Sequence, residues 1–216
     1  MIGFLLDSLN LVERTCSWCV RYLRTAADQG YLCGTCIKNL RPSHPVAYRR
    51  VSFVSSWKAF GRYEGLLSHA LKLVKFKRVK PLARELGCAI EKHLMGFIGE
   101  VKPDLITWVP THWRRFWERG FDHNEEILKG AGVRAEPILW RVKHAKPLAS
   151  YDRKERLAVV RDAFMVEKAF LDDLEGATVL VFDDILTSGA TSASVAELLL
   201  SVGVENVHFY FLAVRE

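Results

Sequence analysis

Residues 179–199, VLVFDDILTSGATSASVAELL, restrict the fold more than any other part of the chain. Four apolar residues, Val179 to Phe182, run directly into Asp183 and Asp184. A continuous apolar run of this kind reads as a strand buried on both faces, as in a parallel sheet. Carboxylates are rarely buried without partners. The two acids therefore belong at the strand's carboxyl end, where parallel sheets bind their ligands. Thr187, Ser188, Gly189, Ala190 and Thr191 then form a loop that enters a helix. Gly189 permits close backbone approach, and the loop's amides and hydroxyls can surround an anion. The helix N-terminus adds ~0.3–1 kcal/mol for negative charge. Acids touching a phosphate would repel it, whereas acids accepting from neighbouring sugar hydroxyls would not, so the expected ligand is a sugar phosphate. The competing reading makes Asp184 or Thr187 a helix cap and leaves Asp183 in solvent. A Walker loop is excluded, because Gly-Lys-Ser/Thr is missing.

The rest of the chain alternates strands and helices. Strands are expected at 105–110, 134–141, 177–183 and 206–214, with helices near 122–130 and 190–202. Two short strands around a turn near Ser55 to Lys58 are expected before them. Leu67, Ala70, Leu71 and Val74 share one helical face, and a further helix should start at Pro81 and run toward Gly96 or Gly99. This order predicts an α/β fold with a mainly parallel sheet. A short amphipathic helix is expected on Ile2, Leu5, Leu6, Leu9 and Val12. The N-terminus lacks the basic start of a signal peptide, and no apolar run is long enough for a membrane span, so a cytoplasmic protein is expected.

Of five cysteines, four form two C-x-x-C pairs, Cys16 with Cys19 and Cys33 with Cys36. Such knuckles suit a tetrahedral four-thiolate zinc site. Four thiolates leave no open position, so the zinc would be structural. The alternatives are disulfides, disfavoured in a reducing compartment, or a redox motif, which would normally occur once beside a βαβ pattern. The expected division is a cysteine module over 1–45, with a proline-containing linker at its end, and an α/β domain over 46–216. The net charge of +6 favours anionic partners only weakly. Lys72 to Lys80, with Arg114, Arg115 and Arg119 among Trp113, Phe116 and Trp117, suit single-stranded nucleic acid. The competing reading is a solvated charged face over an aromatic core side.

VLVFDDILTSGAT resembles the phosphoribosyl-pyrophosphate (PRPP) signature of type I phosphoribosyltransferases. More specifically, the cysteine ribbon, YEGLLSHALKLVKFK, VPTHWRRFWERGF and RKERLAVVRDAF resemble, in order, the ComF family of competence-associated proteins. The likeness covers most of residues 13–214. It implies a type I phosphoribosyltransferase-like parallel sheet with helices on both faces. It also implies that Asp183 and Asp184 hold the ribose and that Thr187 to Thr191 hold its 5′-phosphate. Pro110, Thr111, His112 and Arg115 would form the pyrophosphate loop, and Mg²⁺ would accompany PRPP. Residues 143–161 would close over the ligand, with Arg156 meeting phosphate. Asp122 and His123 stand where the family has Asn-Gln, and Ala145, Leu148 and Val159 replace its Thr, Gln and Asn. Binding is therefore better supported than phosphoribosyl transfer, and neither a catalytic group nor the acceptor is identified. Two readings stay open. One is a PRPP-binding phosphoribosyltransferase-like protein associated with DNA uptake. The other is a single-stranded-DNA-binding or scaffold protein of the uptake machinery, with PRPP regulatory or vestigial.

Overall fold

The computed structural model describes residues 15–23, 31–43, 50–141, 159–160 (backbone only) and 164–215. The expected helix over Ile2 to Val12 and the loop carrying Ala145, Leu148 and Arg156 lie outside them, as does the second half of the proline-containing linker expected over 41–46. Four parallel strands form the main sheet: β1 (Ser56–Arg62), β2 (Leu105–Trp108), β6 (Thr178–Leu186) and β7 (Asn206–Val214), in the order β1-β7-β6-β2. A smaller antiparallel sheet orders β3 (Leu139–Arg141), β5 (Phe164–Val166) and β4 (Val159–Val160). The helices are α1 (Gly34–Lys38), α2 (Gly65–Phe76), α3 (Lys80–Val101), α4 (Trp113–Arg119), α5 (His123–Gly130), α6 (Leu171–Leu174) and α7 (Ala190–Ser201).

Alternation along the central strands explains the layers. Leu180, Phe182, Tyr210 and Leu212 point into a core shared with α2, α3 and α5. Val179, Val181, Phe209 and Phe211 point to the opposite face, against α7 and the small sheet. Both faces are covered, as the apolar run requires. On α2 the face Leu67, Ala70, Leu71 and Val74 is buried. Pro81 sits in the first turn of α3, where its missing N–H costs nothing. Two glycines let α3 and α5 cross at backbone contact. A Cβ at Gly87 would lie 2.1 Å from the Ile127 carbonyl oxygen, and one at Gly130 equally close to that of Arg84. This crossing fixes α5, whose first turn faces the end of β6.

Three expectations need correction. Among the described residues only one strand forms near Ser55, because Phe53 takes a left-handed backbone (φ 65°) and the segment before Ser56 bends. The strand expected over 134–141 is confined to 139–141, since Pro137 has no N–H to donate and Glu136 N bonds instead to the Ile106 carbonyl. β6 runs on to Leu186, so the two acids lie within the strand, Asp183 in register with Phe211, rather than beyond it.

The cysteine module docks on the sheet's helical layer. Cys16, Leu32, Cys33, Cys36, Ile37 and Leu40 are buried in the same core as α2 and α3. Ser17 Oγ lies 2.9 Å from His69 Nε2 on α2. Ser43, within the expected linker, is tied to β1 by accepting from Arg62 N and donating its own N–H to the Phe60 carbonyl.

Candidate functional site

β2 and β6 pair with Trp108 opposite Phe182, and Val109 N donates to the Phe182 carbonyl. The segment after β2 and the acids of β6 therefore emerge side by side. A cavity of about 450 Å³ opens there, lined by Pro110, Thr111, His112, Arg115, Asp183, Asp184 and Thr191, all read from the sequence as ligand contacts. Lys75, Arg119, His123, Asn124 and Arg141 also line it. Of the loop expected to cradle phosphate, only Thr191 reaches this cavity. Thr187, Ser188 and Ala190 are exposed beside it. Gly189 takes φ 84°, the left-handed turn that L side chains resist, and starts α7 with no side-chain cap. The helix-capping reading of Asp184 and Thr187 thus does not describe this site.

The partners the acids require come from distant parts of the chain. Asp184 Oδ2 lies 2.5 Å from Lys75 Nζ and also contacts His123 Nε2. Asp183 Oδ1 accepts from Asn124 Nδ2 at 3.3 Å and from the Asp184 amide at 2.8 Å. These environments separate two neighbouring carboxyls. Burial and the adjacent Asp184 charge push Asp183 from 3.8 up to about 7. For Asp184, burial works upward but is outweighed by His123 and Lys75, which hold it well below the usual carboxylate range. One acid is thus a firm anion. The other, near neutral pH, can either accept or donate a hydrogen bond. Asn124 Nδ2 also donates to the Val109 carbonyl, while its buried Oδ1 has no partner among the described residues. That acceptor beside Asp183 suits a hydroxyl donor from a ligand.

Asp122 ties the segment after β2 to α5. Its carboxylate accepts from Thr111 N at 2.6 Å and caps α5 by accepting from Asn124 N and Glu125 N. His112 Nδ1 caps α4, accepting from Arg114 N. Arg119 departs from the expected basic surface. It is buried, donating from Nε to the Lys75 carbonyl, with Nη1 2.7 Å from His123 Nδ1. Lys75 likewise belongs to the site. The rest of α4 stands in solvent, with Trp113, Phe116 and Trp117 exposed beside Arg114 and Arg115, which contradicts an aromatic core side. Sequence reading missed Lys75 and Asn124 as ligands of the acid pair. One signal was available: Lys75 extends the buried row Leu67–Leu71 by one turn of α2.

The cysteines form a second, separate cluster. Their four Sγ atoms lie within 4.8 Å of one another and can hold a metal ion. A tetrahedron with metal–sulfur bonds of about 2.3 Å has edges of roughly 3.8 Å. The Cys16–Cys36 and Cys19–Cys33 sulfurs are 3.8 and 3.7 Å apart, so the donor set fits such an ion. Burial opposes ionisation of Cys16, but backbone N–H groups of Cys19, Cys33 and Trp18 bring its thiol down to about 6.

A parallel sheet with an acid pair and a cation-lined cavity at its strand ends defines the class, and residues 127–216 match the phosphoribosyl transferase domain family. Over most of its length the chain is similar to the DNA utilization protein YhgH of Salmonella typhimurium, 27% identical over 217 residues, covering 91% of this chain and 88% of that protein. Competence protein F of Haemophilus influenzae is 26% identical over 116 residues, covering 51% and 50% of the two chains. Among solved structures, the allosteric regulatory enzyme of purine biosynthesis matches with 18% identity and a TM-score of 0.44, over 66% of this chain and 30% of that one. The chain is thus similar to proteins named for DNA utilization and competence, and its residues 127–216 carry the match to the phosphoribosyl transferase domain. No helix among the described residues is long and apolar enough to cross a membrane.

Proposed function

We propose that the strand-end cavity binds PRPP and that the protein serves DNA uptake as a ComF-type phosphoribosyltransferase-like protein. One observation carries the binding reading: a buried acid pair and the cations Lys75, Arg115, Arg119 and Arg141 line a single cavity. In this reading Asp183 and Asp184 take the ribose hydroxyls, with Asn124 Oδ1 as a third acceptor. Thr187 to Thr191 take the 5′-phosphate at the start of α7. Thr111, His112 and Arg115 face the diphosphate, joined by Arg141 from β3. A Mg²⁺ ion bound with the diphosphate supplies charge neutralisation on the leaving group. The protein's own contribution is to position the ribose and to surround developing charge with fixed dipoles and cations. The acceptor is unassigned. The association with DNA uptake rests on the names of the relatives. Zinc is our choice for the cysteine cluster and the cytoplasm for the compartment, since free C-x-x-C thiols persist where the medium is reducing. We keep the division into 1–45 and 46–216 as our reading, although the two parts share a core.

Titration with Mg²⁺ and PRPP tests the assignment. At a hundredfold excess over Kd, a ligand that binds only the folded chain stabilises it by about 2.7 kcal/mol. Wild type should show this shift and Asp183→Asn/Asp184→Asn should not. Equal shifts in both would end the phosphosugar reading. Adding candidate nucleobases and assaying pyrophosphate release then asks whether bound PRPP is consumed.

The exposed face of α4 favours a second reading, contact with single-stranded DNA through Trp113, Phe116 and Trp117 beside Arg114 and Arg115. Stacking on one such ring contributes about 1–3 kcal/mol per base. Trp117→Ala should weaken oligonucleotide binding accordingly, and Arg114→Ala should flatten its salt dependence. Binding indifferent to both changes would remove α4 from any DNA contact.

A further inference from the structure

We propose that His123 is a positioning residue that couples the cationic end of the cavity to Asp184. The inference rests on the phosphosugar reading of this cavity and adds a linkage between its two ends. Arg119 Nη1 lies 2.7 Å from His123 Nδ1, and a guanidinium can only donate. Nδ1 is therefore the acceptor and the ring proton sits on Nε2, a tautomer assigned from the hydrogen-bond network. Nε2 faces Asp184 Oδ2, where a donor is what a carboxylate needs. The Thr111 hydroxyl, 2.9 Å from the same Nδ1, brings the segment after β2 into this chain of contacts.

A second branch starts from the same guanidinium. Arg119 Nε donates to the Lys75 carbonyl at 3.2 Å, and Lys75 Nζ lies 2.5 Å from Asp184 Oδ2. One buried cation thus steadies both groups that hold Asp184. Arg119 also lines the cavity beside Arg115. An anionic oxygen arriving there competes for its N–H groups and offers a stronger, charge-assisted acceptor than an imidazole nitrogen. When Arg119 turns to the anion, His123 keeps only Thr111 on Nδ1. Its hold on Asp184 loosens, and the carboxylate can accept a ribose hydroxyl. Anion capture at one end thereby prepares the acid at the other. Linkage makes the effect reciprocal. A histidine that merely fills the core would stabilise the fold without linking two ligands.

Calorimetric titrations of ribose 5-phosphate and of pyrophosphate, each alone and each with the other saturating, read this coupling. In wild type each ligand should tighten the other by about fivefold or more. His123→Gln keeps one acceptor and one donor and should retain most of the coupling. In His123→Leu the coupling factor should fall to about one, whatever the affinity for each ligand alone. Arg119→Lys keeps the charge but cannot hold His123 and Lys75 together, and should lose coupling too, which serves if the Leu variant does not fold. Both ligands binding wild type independently would overturn the inference and leave the cavity reading standing. Neither ligand binding would overturn both. Wild-type coupling in the Leu or the Lys variant would also overturn it.

Discussion

The cysteine cluster and the strand-end cavity gather their groups in opposite ways. Cys16, Cys19, Cys33 and Cys36 come from two short knuckles, and their sulfurs meet at distances that fit one ion's coordination sphere. The cavity instead draws Lys75 from α2, Arg119 from α4, His123 and Asn124 from α5, Arg141 from β3 and the acids from β6. The first site would be closed, since four identical ligands can satisfy one cation and leave nothing over. The second is open: its acids are only partly answered by protein, and cations remain along its wall. A closed local site braces a fold. An open, non-local one is suited to a ligand, because its surplus groups are balanced only when something enters.

The largest effect should come from breaking the closed site. Cys33→Ser is expected to release the metal and with it most of the metal's stabilisation, about 10 kcal/mol or more in isolated zinc modules. Metal content and thermal unfolding of fresh protein measure this, and protein purified without zinc would remove the contrast. The open site should respond more mildly. Lys75→Met takes from Asp184 its only lysine partner among the described residues and leaves His123 alone beside it. Loss of one partner of a buried pair costs about 3 kcal/mol. Chemical denaturation should show that loss with the metal retained, whereas an unchanged midpoint would mean that the pair adds nothing.

The smallest effect separates the two acids. Asp183 is pushed from 3.8 up to about 7, so between those values the folded chain keeps a proton that the unfolded chain has released. Wild-type stability from this group therefore falls as pH rises through that window and levels off above it. An amide at this position does not titrate, so the stability of Asp183→Asn relative to wild type should rise from about pH 5 to about pH 7. Asp184 runs the other way: held low by His123 and Lys75, its contribution is present above the usual carboxylate range and lost on acidification. A flat difference between Asp183→Asn and wild type across neutral pH would show that the two carboxyls ionise alike.

Much of this was legible in the chain itself because it is local. The apolar run Val179–Phe182 gave away a buried parallel strand, C-x-x-C spacing gave away four thiols gathered in one cluster, and the face of α2 followed from helical periodicity. Errors arose at local breaks in the backbone and where non-local pairing extended a strand. Pro137 shortened one strand, Phe53 ended another before it began, and β6 continued through its acids to Leu186 because β7 pairs along its whole length.

From the sequence alone, two acids at the end of an apolar strand had to find partners, since a carboxylate leaves water only when its charge is answered. Which partners they found was decided by tertiary structure. Lys75 and His123 reach Asp184, and Asn124 reaches Asp183, because α2 and α5 lie on the same layer beside β6, with the glycine crossing of α3 and α5 setting α5 in place. No pattern along the chain encodes those distances. The different ionisation of Asp183 and Asp184 follows from them, and with it the roles that two identical side chains can play.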